Sequence, residues 1–552
     1  MSETTTARSM EAKFRTVIGS VIGIVISLSA FYMAGIGVFD ETLTRVGLVA
    51  LGLILMIVVG PLDSRSGGLE PSASRLKTLI DLVMVAAILF SSWHFFAIGE
   101  ELEEGLYDLT HFDQLVGLAG LLSLLEMTRR MVGLPLTLIC IGTIGYALFG
   151  EQLPWIFRHA GFYTEDVMTA VWYSFDGVYG RPVAVVTSLI LIFVVFGAIL
   201  EGIGAGEVLL KLAFVTTGKL RGGPAHAAVV ASALFCSVSV EARRVGIEPV
   251  ETKGEKLTTA DWLMTLTFVI PLVVVGALVA GRSVAMGGFL ACLTALGLGF
   301  VLNPDFRRNP QRLLGILASA GRASAVILVA VAAVGIIIGV MNQTGLGLRF
   351  ANVILAISGE SLFGGLAVMM LGCLVLGMGM PTVPAYLIIV LVVGPAIAKM
   401  GVPVLLVHLF AVYFGVLSSI TPPVALAAYA AAPITGASPM ATAVTAVRIA
   451  LIGFIVPFVF IYNPSLSLVE QFDIVDFIWI CARLGLAIWL LTTGMAGFEK
   501  GSLSMPLRVL RVALGVLVLF EGLALQAGAF ILGLLLVAFE WRPIARNRAN
   551  PA

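Results

Sequence analysis

Apolar residues run along this chain in blocks, not in alternation. Blocks of about 17 to 24 residues, the length an α-helix needs to cross about 30 Å of hydrocarbon, recur throughout and number roughly thirteen when interrupted ones are counted. The first half reads as spans at 17–39, 46–62, 78–98, 112–127, 131–149, 182–203, 261–281 and 282–302. The second half reads as 323–343, a short amphipathic piece at 345–357, half-length segments at 362–376 and 384–398, then 403–417, 424–432, 440–462, 474–494 and 507–539. The last is either one tilted helix or two short ones around Glu521. The pattern predicts an all-α integral membrane protein, a polytopic helical bundle with discontinuous helices.

Composition agrees. Of 552 residues, 59% are hydrophobic and 12% charged, against about 45–50% apolar residues in soluble domains. The 33 basic and 33 acidic side chains balance, which removes any nucleic-acid signal. Residues 17–39 lack a small-residue cleavage site and read as an uncleaved first helix. The five cysteines, Cys140, Cys236, Cys292, Cys373 and Cys481, fall in apolar segments at spacings of neither a zinc site nor a disulfide framework, and read as packing residues.

Charge then gives sidedness, because short cytoplasmic loops collect Lys and Arg. Arg8, Lys13 and Arg15 place the N-terminus in the cytoplasm, and the basic loops at Arg65 to Lys77, Arg129 to Arg130 and Lys211 to Arg221 return to that side. The acidic, Lys-free "GEELEEGLYDLTHFD" falls outside. The count fails at one place: if 224–239 crossed, the basic "VEARRVGIEPVETKGEK" would lie outside. About 16 residues are too few to descend and return as helix, so this point is either a one-sided entry or a place where sequence is missing.

Two interruptions carry the candidate chemistry. "GMGMPT" at 377–382 separates two half-length apolar segments, and "SSITPP" at 418–423 follows some forty residues later. Non-helical backbone at membrane depth persists only where protein or a water-filled cavity satisfies it. Pro422 and Pro423 remove two amide donors while Ser418, Ser419 and Thr421 supply hydroxyls. Half-helix C-termini offer carbonyls to a cation and half-helix N-termini offer amides to an anion. Thr382, Ser418, Ser419 and Thr421, with exposed carbonyls, are oxygen ligands suited to Na⁺ without any carboxylate.

The stretch "GMGMPTVPAYLIIVLVVGPAIAKMG…GVLSSITPPVALAAY" resembles the second half of the large membrane subunit of TRAP transporters, in the TAXI branch with fused subunits. "FGAILEGIGAGEVLLKLAFVTTGKLRGGPAHAAVVASALF" resembles the first half, and "LLEMTRRMVGLPL" the junction after a fused small-subunit-like region. The resemblance implies an inverted-repeat, elevator-like secondary permease of the bacterial inner membrane. It would be Na⁺-coupled and supplied with a carboxylate-type solute by a TAXI-type periplasmic binding protein. It makes "GMGMPT" the tip of a second re-entrant hairpin and "SSITPP" the unwound part of a facing helix. It thereby implicates Gly379, Pro381, Thr382, Ser418, Ser419, Thr421 and Pro422 in ion or substrate binding. No cofactor beyond Na⁺ and no enzyme activity are expected.

The implied organisation is 1–130 as a small-subunit-like region, 131–465 as the permease region with a second repeat at 323–465, and 466–552 as C-terminal helices. One departure stands out: after "SALFCSVS" the chain runs directly into "VEARRVGIEP", so roughly ninety residues of the first repeat are absent relative to the family pattern, and half the ligands of a site between repeats would go with them. A transport-impaired remnant or scaffold is therefore the alternative function, and an intramembrane enzyme a weaker one, since no nucleophile and base share a depth. Elsewhere, Glu201 and Arg448 read as interfacial, His226 and His408 as core, and the "GxGxxG"-like string near Gly202 as close packing.

Overall fold

The computed structural model describes residues 2–60, 71–103, 107–154, 157–205, 259–279, 283–358, 361–377, 382–422, 425, 427–428, 438–499, 501–520 and 522–541. Among these, the chain is helical, apart from one isolated bridge between Phe498 and Ser502. Among the described residues, seven helices are long and apolar enough to cross a membrane. The described residues fall into two compact units, one of 2–205 with 259–400 and one of 401–541.

In the first unit the helices are α1 (Ser2–Gly35), α2 (Leu48–Val59, preceded by a π turn), α3 (Pro71–Glu103), α4 (His111–Met131), α5 (Leu134–Leu148) and α6 (Thr164–Val171). They continue with α7 (Arg181–Gly202, with a π turn at Val186–Ile190), α8 (Thr259–Val279), α9 (Val284–Leu302), α10 (Pro304–Arg308) and α11 (Arg312–Thr344). After these come α12 (Leu346–Ser358), α13 (Leu362–Gly377), α14 (Thr382–Val392) and α15 (Gly394–Lys399).

The unit is built around α11. Its apolar window is 89% buried, whereas the other long spans are 33–39% buried, so α11 meets protein where they meet lipid. Helices α1, α2, α4, α5, α6, α7 and α14 pack on it. Close approach is made possible by small residues: a Cβ on Gly321 would lie 2.0 Å from the Gly23 carbonyl oxygen, so side chains are excluded where α1 crosses α11. Ser27 Oγ closes the same crossing by donating to the Leu317 carbonyl at 2.7 Å.

Helices α3 and α4 are pinned as an antiparallel pair at both ends. Near one end Arg130 meets Asp81 at 2.6 Å and Glu126 at 2.7 Å. At the other, Asp113 caps α4 through the Thr110 amide at 2.7 Å and contacts the His94 ring at 2.6 Å. Asp113 is 1% exposed, and its second oxygen also accepts from the Tyr107 hydroxyl at 3.0 Å. Burial, and then the Asp113 carboxylate, push the Tyr107 phenol above its ordinary value. Tyr173 Oη donates to the Asp113 carbonyl at 2.7 Å, tying the segment after α6 to the same corner.

The second unit holds α16 (Val404–Leu417), a 3₁₀ turn (Ser418–Ile420), α17 (Pro439–Ala450), α18 (Val456–Tyr462), α19 (Ile474–Ala496), α20 (Met505–Leu517) and α21 (Leu523–Trp541). The open choice at 507–539 resolves as two helices, and Glu521 itself lies outside the described residues. Arg508 donates to the Gly494 and Met495 carbonyls at 3.1 Å each, capping the end of α19 where the helix dipole is negative. Arg511, fully buried, pairs with Glu499, which also accepts from Trp489 Nε1 at 2.9 Å.

Helix limits differ from the expected spans where sequence carries a stop or a cap. Helix α1 ends at Gly35, ahead of Gly37, and Asp40 then accepts from the Thr42 amide at 2.9 Å as the next element starts. The span expected at 440–462 is two helices joined by a 3₁₀ turn at Leu451–Phe454, with Pro457 in the first turn of α18. Cys140, Cys292 and Cys373 are buried as expected, but Cys481 is exposed on α19, which corrects its reading as a packing residue. Cys236, His226 and the segment 224–239 lie outside the described residues. Glu201 and Arg448 are exposed and His408 is half-buried.

Candidate functional site

The first interruption sits in a helical hairpin. Helix α13 has 16 residues and α14 has 11, each short of the roughly 20 needed to span. Helix α13 packs antiparallel on α14 and α15: a Cβ on Gly372 would lie 2.8 Å from Ile389 Cδ1, and one on Gly365 2.8 Å from Ile397 Cδ1. Both pairs are centred on residues 380–381 of the sequence, so the arms double back about "GMGMPT". Of the expected site residues here, Thr382 opens α14 and is half-buried, while Gly379 and Pro381 lie outside the described residues.

The second interruption follows α16 in the other unit. Helix α16 tightens into the 3₁₀ turn at Ser418–Ile420, and Thr421 turns extended. The cause is in the sequence: Pro422 and Pro423 have no amide to give the carbonyls of Ser418 and Ser419 four residues back. The Thr421 amide takes the Ser418 carbonyl instead, at 3.1 Å. Ala425, 1% exposed, has φ 38°, a left-handed conformation that costs a non-glycine residue energy and gathers at functional breaks.

Three hydroxyls gather in this turn. Ser418 Oγ donates to the Gly415 carbonyl at 2.6 Å, Ser419 Oγ to Val416 at 2.7 Å and Thr421 Oγ1 to Leu417 at 2.8 Å. With each proton directed back along α16, the oxygen lone pairs remain as acceptors. The structure thus brings Ser418, Ser419, Thr421 and Pro422 into one turn. Beneath it, Phe410 meets Phe458 at 5.2 Å and Phe414 meets Phe454 at 6.0 Å, an apolar wall between α16 and the α17–α18 stretch. Beyond it, Ala425 and Ala428 cluster with Ala443 of α17.

Sequence reasoning missed three features. The Asp113–His94 pair joins residues that are unremarkable singly, and the strain at Ala425 has only the double proline as its signal. The third is Arg483, 2% exposed, whose Nη2 donates to Asn463 Oδ1 at 2.8 Å while Nε and Nη1 meet no acceptor among the described residues. The guanidinium also lies 5.8 Å from the Trp479 ring centre.

Long apolar helices, a buried central span and a hairpin of short arms define an all-α, multi-pass membrane protein. A family profile described as "Tripartite ATP-independent periplasmic transporter, DctM component" matches residues 119–242 and 238–473. The chain belongs to the DctM family, a membrane component of those transporters and not a family of enzymes. Comparison with curated proteins finds no match.

Proposed function

We propose that this chain is the permease of a binding-protein-dependent secondary transporter of the TAXI branch, coupled to Na⁺ and moving a carboxylate-type solute delivered by a periplasmic TAXI-type protein. The observation that carries the reading is the turn at 418–422, where three hydroxyl oxygens, each with its proton directed back along α16, stand together at the end of an apolar helix. Oxygens of this kind suit a hard, weakly charged cation, and the hairpin centred on "GMGMPT" supplies the companion element in a transporter built from discontinuous helices. In this reading Gly379, Pro381 and Thr382 act with Ser418, Ser419, Thr421 and Pro422. Residues 1–130 act as the fused small-subunit-like region, 131–465 as the permease and 466–552 as added helices, with the N-terminus cytoplasmic.

A second reading is a permease weakened by loss of part of its first repeat. It is favoured by the family match breaking into two pieces that meet at 238–242, the same place where the charge count along the chain fails. One experiment separates the two: Na⁺-driven solute uptake into proteoliposomes with the cognate binding protein. Full transport predicts uptake that rises with external Na⁺ and falls at least about tenfold in Ser418→Ala and Thr382→Ala, the loss of roughly one well-placed ligand. Uptake indifferent to Na⁺ and to both substitutions removes the site. Binding of Na⁺ without uptake selects the weakened permease.

A further inference from the structure

A cavity of about 250 Å³ lies in the first unit at the elbow where α11 gives way to α12, lined by Ile338, Met341, Asn342, Gly345, Leu391 and Pro395. The elbow is made by Gly345, which ends α11 with φ 65°, a left-handed conformation glycine adopts freely. The far wall is the second hairpin arm, Leu391 from α14 and Pro395 from α15. Helix α12 packs on α13, α14 and α15, so the elbow joins the buried central helix to the hairpin.

The lining fixes the chemistry of an occupant. Ile338 and Met341 are buried on α11, Leu391 and Pro395 are half-buried opposite them, and the polar Asn342 is exposed. The cavity follows α11 over seven residues, about 10 Å of rise. Helix α11, at 33 residues, exceeds the roughly 20 that a crossing needs, and Arg322 marks its polar end, so the crossing closes near Asn342 and the cavity opens where acyl chains meet headgroups. An apolar cavity does not hold water without polar partners. We infer that this cavity is a lipid site that takes one acyl chain, with the lipid's polar end at Asn342, at the C-terminal end of α11. The chain lies between the central helix and the hairpin arm and props the elbow at one angle. This site is independent of the ion and solute assigned above.

The test uses the full-length protein in phosphatidylcholine vesicles doped with a phospholipid that carries a photoactivatable diazirine midway along one acyl chain. Mapping the adducts after irradiation is expected to place them on Met341 and Leu391, and Leu391→Trp, which fills the cavity, is expected to abolish the Met341 adduct. Adducts on Leu371 and Val375, exposed on the lipid-facing side of α13, serve as the control and stay constant. Met341→Trp fills the space from the opposite wall and is expected to abolish the Leu391 adduct, so the test stands if one variant misfolds. Absence of adducts at both lining positions, or adducts that persist in the filled variants, overturns the inference.

Discussion

At the scale of single residues, charge in this protein is placed where partners already wait. Asp113 illustrates the logic: one carboxylate serves as helix cap, as partner of a buried imidazole and as acceptor for a phenol. Removing such a group strands its donors, so Asp113→Ala is expected to destabilise the protein by about 3–5 kcal/mol, with Asp113→Asn intermediate. The check is the midpoint of thermal unfolding in detergent; a variant that melts with the parent shows that the corner is solvated. The pair was illegible in sequence because His94 and Asp113 sit on different helices and no local spacing links them. By contrast, the hydroxyls of "SSITPP" were legible, since a double proline dictates the break and the same few residues supply the oxygens.

At the scale of elements, most helix limits were readable to within a few residues, but α1, α3 and α11 start well before the expected spans 17–39, 78–98 and 323–343. What could not be read was which helix is central. Helix α11 resembles its neighbours in hydropathy, and its burial, not its composition, makes it central. The C-terminal pair α19–α20 shows the same limit, for Arg511 of α20 and Glu499 in the turn that follows α19 form a buried ion pair that no local spacing announces. Glu499→Gln is expected to lower the unfolding midpoint strongly, because a buried guanidinium loses its counter-charge at a cost of about 3–5 kcal/mol. Adding Arg511→Met to that variant is expected to recover most of the loss. If the double variant is as unstable as the sum of the two singles, the residues do not act as a pair.

At the scale of the molecule, the first unit depends on contacts between its amino-terminal helix and a helix nearly three hundred residues later. The Gly23–Gly321 crossing leaves no room for a side chain, and what a new Cβ would strike is backbone, which cannot rotate away. Gly321→Val is therefore expected to cost at least about 1–3 kcal/mol of overpacking and to loosen α1 from α11. The loss is read as faster labelling of a cysteine placed at Ser27, compared with the same cysteine in the parent. Equal labelling in both would show that α1 is held by other contacts.

The burial of α11 also bears on how the protein is made. Synthesis delivers α1 to α7 before α11 exists, so Gly23, Gly52, Cys140 and Gly177, each of which touches α11 in the finished unit, emerge from the ribosome facing a vacant slot. A nascent chain that stalls before Arg312 therefore lacks the helix on which these residues pack.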